Sequence, residues 1–295
     1  MKKNKKKKLQ GIGIAPERFD RSQIKYYIVL LPFIIYMGLP LCYIFFTAFK
    51  SLGELNQFPP AFITTRPTMQ NFLKLFNVAS SSNQPATRYL FNSIVITLCT
   101  MFLCIVISVC TAYVLSKKQF RMKKVIFKVN ELSMMFVASS VAIPRYLIIS
   151  KLGLLDTFWV HILPALAMPV GMFLLKQNID LVPDALVEAA RIDGASDYCI
   201  ITKIIVPMIM PAISTVGILV FQSAWNSVEA SNLYVNSESL KTFAFYLNSL
   251  YSASNSVAGQ GISAAATLIM FVPNLVIFIV MQSKVLNTMA NSGIK

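Results

Sequence analysis

Residues able to do covalent or metal chemistry are few in this chain and stand far apart. There is one histidine, His161, and the five cysteines, Cys42, Cys99, Cys104, Cys110 and Cys199, form no CxxC pair. That spacing fits neither a zinc site nor a disulfide frame, so the cysteines read as small apolar packing residues and no metal is expected. An enzyme would need His, Cys or carboxylates clustered near one another, and a lone His161 argues against one. No GxxxxGK[ST] loop is present to cradle a nucleotide phosphate. The one stretch of the second half that is both charged and helix-like is 182–196. Its chemistry is contact rather than catalysis: a short polar helix able to meet another molecule in water.

The local pattern supports that helix. Pro183 suits a first turn, where its missing N–H costs nothing. Asp184 stands where the helix dipole favours negative charge, and Gly194 is placed to end the helix in the left-handed conformation. Ala185, Ala189 and Ile192 form one stripe, with Leu186, Ala190 and Asp193 beside it. Glu188 and Arg191 have the i,i+3 spacing of a pair. The two alanines leave a shallow face that a partner could approach closely. After the glycine, 195–205 continues as an amphipathic lead-in to Pro207. On these grounds alone, a connector lying on a membrane surface is an equal reading.

The surrounding elements are membrane-like. Of the 295 residues 56% are hydrophobic and 13% charged, more apolar surface than a soluble domain of this size can hide. Six apolar runs approach the ~20 residues that a bilayer requires: 26–49, 89–115, 125–149, 157–177, 204–225 and 262–281. Asn130 and Glu131 interrupt the third near its start, and Pro144 near its end should bend or end that helix. Pro164, Pro169 and Gly171 break the fourth. Pro207 and Pro211 sit near the cytoplasmic end of the fifth. The expected fold is all-α integral membrane, with a basic leader at 1–25, a six-span transmembrane domain at 26–284 containing a polar loop at 183–211, and a tail at 285–295. Short helices are expected at 69–76 and, on the surface, at 240–251.

Net charge is +15, but the basic residues flank apolar runs, which fits anionic headgroups and excludes a nucleic-acid role. Lys2, Lys3 and Lys5 to Lys8 read as an orientation signal and surface anchor. If the leader is inside, all basic residues except Lys50, Arg66, Lys74, Arg88, Arg145, Lys151 and Lys241 fall on inside segments. Both ends and the polar helix are then cytoplasmic.

The string Glu188-Ala-Ala-Arg-Ile-Asp-Gly-Ala-Ser196, followed by Ile204-Ile-Val-Pro-Met-Ile-Met-Pro211, closely resembles the EAA signature of ABC importer permeases, above all the maltose-type second permease of the carbohydrate group. Further stretches carry the likeness over most of the chain. Phe45 to Lys50 with Pro59-Pro60 resemble that family's first loop. Pro67-Thr-Met-Gln-Asn-Phe72 is similar to its PTxxNY element, with Phe in place of Tyr. Phe91-Asn-Ser93 resembles the start of its second span, and Leu152-Gly-Leu-Leu-Asp-Thr157 its turn before the fourth. The Lys-rich leader and the Asn130-Glu131 pair depart from the pattern.

The resemblance implies a type I importer fold, six transmembrane helices with a cytoplasmic coupling helix, in a bacterial cell membrane. Glu188, Ala189, Ala190, Arg191, Asp193 and Gly194 would dock on one subunit of a cytoplasmic ATPase dimer, Glu188 facing a basic or polar group. ATP-driven closure would open the paired permeases outward, and an extracellular solute-binding protein would deliver a carbohydrate. The partners implied are thus a second permease, the ATPases, the binding protein, sugar and lipid. ATP and Mg would belong to the ATPase, with no cofactor on this chain. The tail reaches the ATPases in maltose-type relatives; here that contact and a loose end are equal readings. Candidates for the substrate path are Asn130, Glu131, Ser139, Gln222 and Trp225, with Ser140 and Ser214, since sugars take amide, hydroxyl and aromatic partners; helix packing is the alternative role of each serine. Another solute, such as a lipo-oligosaccharide or a peptide, would use the same coupling helix.

Overall fold

A computed structural model describes residues 24–77, 84–253 and 257–292, and every regular element among them is helical. The leader up to residue 23, positions 80–83 and the last three residues lie outside the described residues. In chain order the helices are α1 (Ile24–Phe49), α2 (Leu52–Leu55), α3 (Gln70–Asn77), α4 (Ala86–Lys117), α5 (Lys123–Ser133), α6 (Ala142–Lys151), α7 (Pro169–Asp180), α8 (Asp184–Ile192), α9 (Asp197–Ile200), α10 (Val206–Met208), α11 (Met210–Trp225), α12 (Glu229–Leu233), α13 (Phe243–Ala253) and α14 (Val257–Ser292). Tight 3₁₀ turns at Ala138–Val141, Phe158–His161, Leu163–Leu166 and Glu238–Leu240, and a π turn at Ile201–Ile205, fill the joints.

Among the described residues α1, α4 and α14 are long and apolar enough to cross a bilayer, and two bent helix pairs bring the count to five if each is one span. The 26 residues of α1 rise about 39 Å, against ~30 Å of hydrocarbon. Its apolar window is 0% buried within the molecule, so Ile28, Leu31, Phe33 and Met37 need lipid or another apolar helix as neighbour. Helix α4 has 32 residues and rises about 48 Å. The excess carries Lys117 and Lys118 beyond the apolar layer.

The expected interruption of the third apolar segment falls between Ser133 and Ala142. The segment is not one helix: α5 stops at Ser133, Met134 to Val137 is irregular, and a new helix starts at Ala142. The Ser133 hydroxyl donates to the Asn130 carbonyl at 2.7 Å, a local bond that competes with helix propagation. The next amides turn to i−3 carbonyls, Met134 to Glu131 and Met135 to Leu132. Pro144 neither bends nor ends a helix. It lies in the first turn of α6, where an amide has no intrahelical partner to lose. The fifth segment bends by 85° between Asp197–Met208 and Met210–Leu233. Pro211 lacks the N–H that would carry the helix through Ile209, so the lead-in lies across α11. In the tail, α14 continues through 283–292.

The expected helix at 69–76 is α3. The one at 240–251 is α13, shifted by a few residues and only half on the surface, because Phe243, Ala244 and Tyr246 are buried. Tyr246 stacks on Tyr89 of α4 at 5.0 Å between centroids. Asn92 donates to the carbonyls of Ser239 (2.8 Å) and Lys241 (2.9 Å), and Ser93 accepts the Phe243 amide at 2.8 Å. The Asn-Ser pair thus ties the start of α4 to the chain before α13 and caps α13.

In the first loop Glu54 accepts from the Thr64 hydroxyl at 2.6 Å and from the Thr65 and Arg66 amides at 2.9 and 3.0 Å. The Thr64 and Thr65 hydroxyls hold its carboxyl down to about 2, so the loop keeps this charge throughout physiological pH. Asp156, left-handed at φ 56°, accepts from the Ser237 hydroxyl (2.6 Å) and amide (2.8 Å). Those bonds lower its pKa and pin the turn after α6 to the chain before α13.

Asn71 is the residue on which α1, α3 and α14 converge. It is 4% exposed and donates to the carbonyls of Ala48 (3.0 Å) and Lys50 (2.8 Å). Gly261 of α14 comes so close that a Cβ there would lie 2.8 Å from Asn71 Oδ1 and 2.7 Å from Leu55. Close backbone approach through small residues is how membrane helices gain contact. Gly261→Val should therefore cost about 2 kcal/mol, in the range of overpacked cores. The expected result is a melting temperature several degrees lower for the detergent-purified chain, checked by thermal unfolding beside Gly53→Ala, where a Cβ meets nothing within 4 Å.

Candidate functional site

The polar helix α8 is held from below its own length. Only Val187 of its nine residues is fully buried, at 2% exposure, with Val182 just before it at 4%. Both join the cluster of Tyr113, Leu175, Ile179, Ile200 and Val216 that packs α4, α7 and α11 together. Pro183 is extended (φ −58°, ψ 132°) and precedes the helix without a side-chain cap. In place of a cap, Lys117 of α4 donates to the Val182 carbonyl at 2.5 Å and to Asp184 at 2.6 Å. The Lys117 side chain is 5% exposed, so its charge is compensated where water is scarce.

The other end is closed by backbone. Gly194 is left-handed at φ +78°. The Gly194 amide bonds the Arg191 carbonyl and the Ala195 amide reaches back to Ala190 at 2.9 Å, which satisfies the last carbonyls of the helix. Ser196 then starts α9, its hydroxyl accepting from the Cys199 amide at 3.4 Å. Asp197, one residue on, is the second anchor. It accepts from the Tyr113 hydroxyl at 2.9 Å and Lys118 at 2.7 Å, and Arg191 stands 3.9 Å away. One long helix therefore grips the polar loop at both its start and its finish. Ser116 and Lys176 meet on Asp180 at 2.6 and 2.7 Å, which locks α7 to the same end of α4.

Glu188, Ala189, Arg191, Asp193 and Gly194 are exposed and Ala190 is half-buried against the core. The expected Glu188–Arg191 pair is not made. Arg191 turns toward Asp197, where the acid is already fixed by two other donors, and Glu188 is left facing outward. Around it Leu181, Ile192 and Tyr198 are 81%, 86% and 78% exposed. The result is a small-residue face with an outward acid and an apolar rim. Reading the sequence missed the grip itself: Tyr113, Lys117, Lys118 and Asp197. The basic turn after the second apolar run was visible, but it read only as an orientation signal.

The candidate path residues are not gathered in one place. Asn130 is half-buried and donates to the Pro169 carbonyl at 3.2 Å, in a cleft with Ser108, Thr111 and Met172. Glu131, Ser139, Ser140 and Gln222 are exposed, and Ser214 is 1% exposed. Trp225 turns inward: it is 3% exposed, stacks on Phe221, and donates to the Met270 carbonyl at 3.0 Å. A different group converges at the C-terminal end of α11. Arg145 and Glu229 pair at 3.3 Å in a cavity of about 180 Å³ shared with Ser223, Ser227, Tyr234 and Thr242. His161 lines the same cavity, with Nε2 3.1 Å from the Leu240 carbonyl. No cluster of metal-ligating side chains occurs among the described residues.

Comparison with known proteins agrees with this architecture. The chain is 26% identical to the inner membrane ABC transporter permease protein YcjP of Escherichia coli (strain K12), covering 96% of this chain and all of that one. It is 29% identical to the sulfoquinovosyl glycerol transport system permease protein SmoH of Agrobacterium fabrum (strain C58), covering 87% and 88%. A crystal structure of a bacterial ABC transporter involved in the import of the acidic polysaccharide alginate shares the fold, with TM-score 0.79 and 22% identity over 90% of this chain and 98% of that one. Residues 27–283 match the profile of the binding-protein-dependent transport system inner membrane components, and the chain belongs to that family.

Proposed function

We propose that this chain is one of two permease subunits of an ATP-driven importer that takes carbohydrate from an extracellular binding protein. It forms half of the path and performs no chemistry itself. The observation that carries the reading is the outward face of α8, an acid and two alanines rimmed by exposed Leu181, Ile192 and Tyr198, on a helix gripped at both ends by α4. An apolar rim of that kind in water calls for a protein partner. The resemblance to the EAA signature identifies the partner as a cytoplasmic ATPase, which would bring ATP and Mg. The carbohydrate assignment draws on relatives whose names specify a sulfoquinovosyl glycerol transport system and alginate import.

In this reading the broken third segment and the two bent pairs each cross the bilayer, giving six spans with both termini and α8 inside. The basic residues beside the apolar runs support that orientation. ATPase closure pushes on α8, and the grip of α4 passes the displacement to the bundle. The polar cavity around Arg145 and Glu229 lies on the outer side, toward the binding protein.

Two measurements test it. Single cysteines placed at Ala185 and Asn248 of a chain otherwise free of cysteine should label from opposite sides of the membrane, α8 from the cytoplasm. Glu188→Lys should insert normally, co-purify less ATPase and lose uptake of labelled saccharide. Labelling of α8 from outside, or full uptake by Glu188→Lys, ends the proposal.

A further inference from the structure

The structure assigns a saccharide-contact site, a cleft for an uncharged sugar unit between α11, α13 and α14. It is separate from the cavity around Arg145, and it rests on the carbohydrate reading above. The cleft has a volume of about 400 Å³ and is walled by Asn226, Asn248, Tyr251, Thr267, Phe271 and Asn274. Its size falls inside the roughly 300–1,000 Å³ of small-molecule clefts.

Its chemistry separates it from the lipid-facing clefts of the same molecule. One of those is lined by Leu90, Ile94, Leu98 and Phe221, another by Leu41, Ile44 and Phe45, with Thr267 and Phe271 standing between that cleft and this one. Acyl chains suit such walls. Three side-chain amides do not belong beside an acyl chain, because an amide removed from water without a hydrogen-bond partner is costly. Here they stand together. Asn274 donates to Asn226 Oδ1 at 3.3 Å and to the Met270 carbonyl at 3.1 Å, while its own Oδ1 is buried without a partner. Asn226 spends one donor on the Gln222 carbonyl at 2.8 Å. Asn248 is exposed on α13, and Tyr251 beside it is 52% exposed.

An amide both donates and accepts, as a sugar hydroxyl does. The rings of Tyr251 and Phe271 offer flat apolar surface for the C–H face of a pyranose or furanose. Among the described residues no lysine, arginine, aspartate or glutamate lines the cleft. The charges near the ends of its helices are engaged elsewhere, Glu229 by Arg145 and Lys241 by Glu238. A carboxylate or sulfonate would enter with no cation to meet it, so the ligand class is a neutral saccharide.

The test uses the whole transporter, purified through a tag on this chain, without binding protein. Equilibrium binding is measured for maltotriose, xylotriose, arabinotriose and trigalacturonate, beside uptake in proteoliposomes with binding protein present. One neutral trisaccharide should bind at least tenfold more tightly than trigalacturonate. The double variant Asn248→Ala/Tyr251→Ala, at two exposed positions on α13, should weaken that binding about tenfold, and Asn274→Leu should do the same from α14. In each variant sugar-free ATP hydrolysis should stay unchanged. Unaltered binding in both variants overturns the cleft and leaves the carbohydrate reading standing. Tightest binding of trigalacturonate overturns the neutral assignment. Neither binding nor uptake of any of the four by the unaltered transporter overturns the carbohydrate reading and the cleft with it.

Discussion

Gly194→Asp should leave the chain in the membrane at normal levels and reduce uptake at least a hundredfold. Two effects have to be separated, and the position allows it. A Cβ at Gly194 meets nothing within 4 Å, so the side chain itself fits the isolated subunit. The backbone is left-handed at φ +78°, which costs an ordinary residue about 1–2 kcal/mol but Asn and Asp less. Folding therefore survives. What changes is the surface: a carboxylate now projects from the end of α8 beside Asp193 and Glu188, on the face proposed to dock. A hundredfold loss corresponds to about 2.7 kcal/mol of docking free energy, a reasonable cost for a charge pressed into a contact without a partner. Gly194→Asn has nearly the same shape and backbone tolerance without the charge, and should lose only about tenfold. Gly194→Val tests the backbone instead and should lower the yield of folded protein. Uptake and ATPase co-purification are the measurements. Wild-type uptake by Gly194→Asp would remove α8 from the coupling account.

How much of this could be read beforehand depends on the range of the interaction. Pro183 and Gly194 act through the backbone within one turn, and the helix they imply lies where they put it. Asn71 and the Asn92-Ser93 pair stand out as motif residues, but their role is long-range: carbonyl groups for the two asparagines and an amide for Ser93, each twenty or more residues away. Pro144 misled because a proline marks a helix start as readily as an end, and only the back-bond of Ser133 to Asn130 shows that the previous helix has already stopped. Glu188 and Arg191 have the spacing of a pair, yet Asp197 offered Arg191 a neighbour that periodicity cannot reveal. The same limit hid Asn248, Tyr251 and Asn274. Each is an unremarkable polar residue in sequence, and only the packing of α13 against α14 places them along one cleft.

The grip of α4 on the loop carries the second large effect. Asp197→Ala should keep ATP hydrolysis near half or more of its normal rate while the saccharide moved per ATP falls about tenfold. The reason lies in how few contacts hold α8. Its apolar anchorage is Val187 with Val182 and part of Ala190, and a helix so lightly seated can tilt under load unless its ends are fixed. Asp197 fixes one end through Tyr113 of α4 and Lys118, the residue that caps it. Exposed ion pairs are worth only about 0–1 kcal/mol each to stability, so the variant folds. Its cost falls on transmission, where coupling free energies of ~1–3 kcal/mol separate a stiff lever from a loose one. Tyr113 is 1% exposed, and with Asp197 removed its hydroxyl loses its acceptor, so Tyr113→Phe should partly restore Asp197→Ala by deleting the orphaned group. Lys118→Ala, which leaves the Tyr113 bond intact, should be milder than Asp197→Ala. Because the docking proposed for Glu188 and Ala189 is untouched, ATPase co-purification should stay normal, and the loss should show only in the ratio of transport to hydrolysis. If hydrolysis and transport fall together at a constant ratio, the loop serves assembly alone, and force must reach the bundle through α9 to α11 rather than through α4.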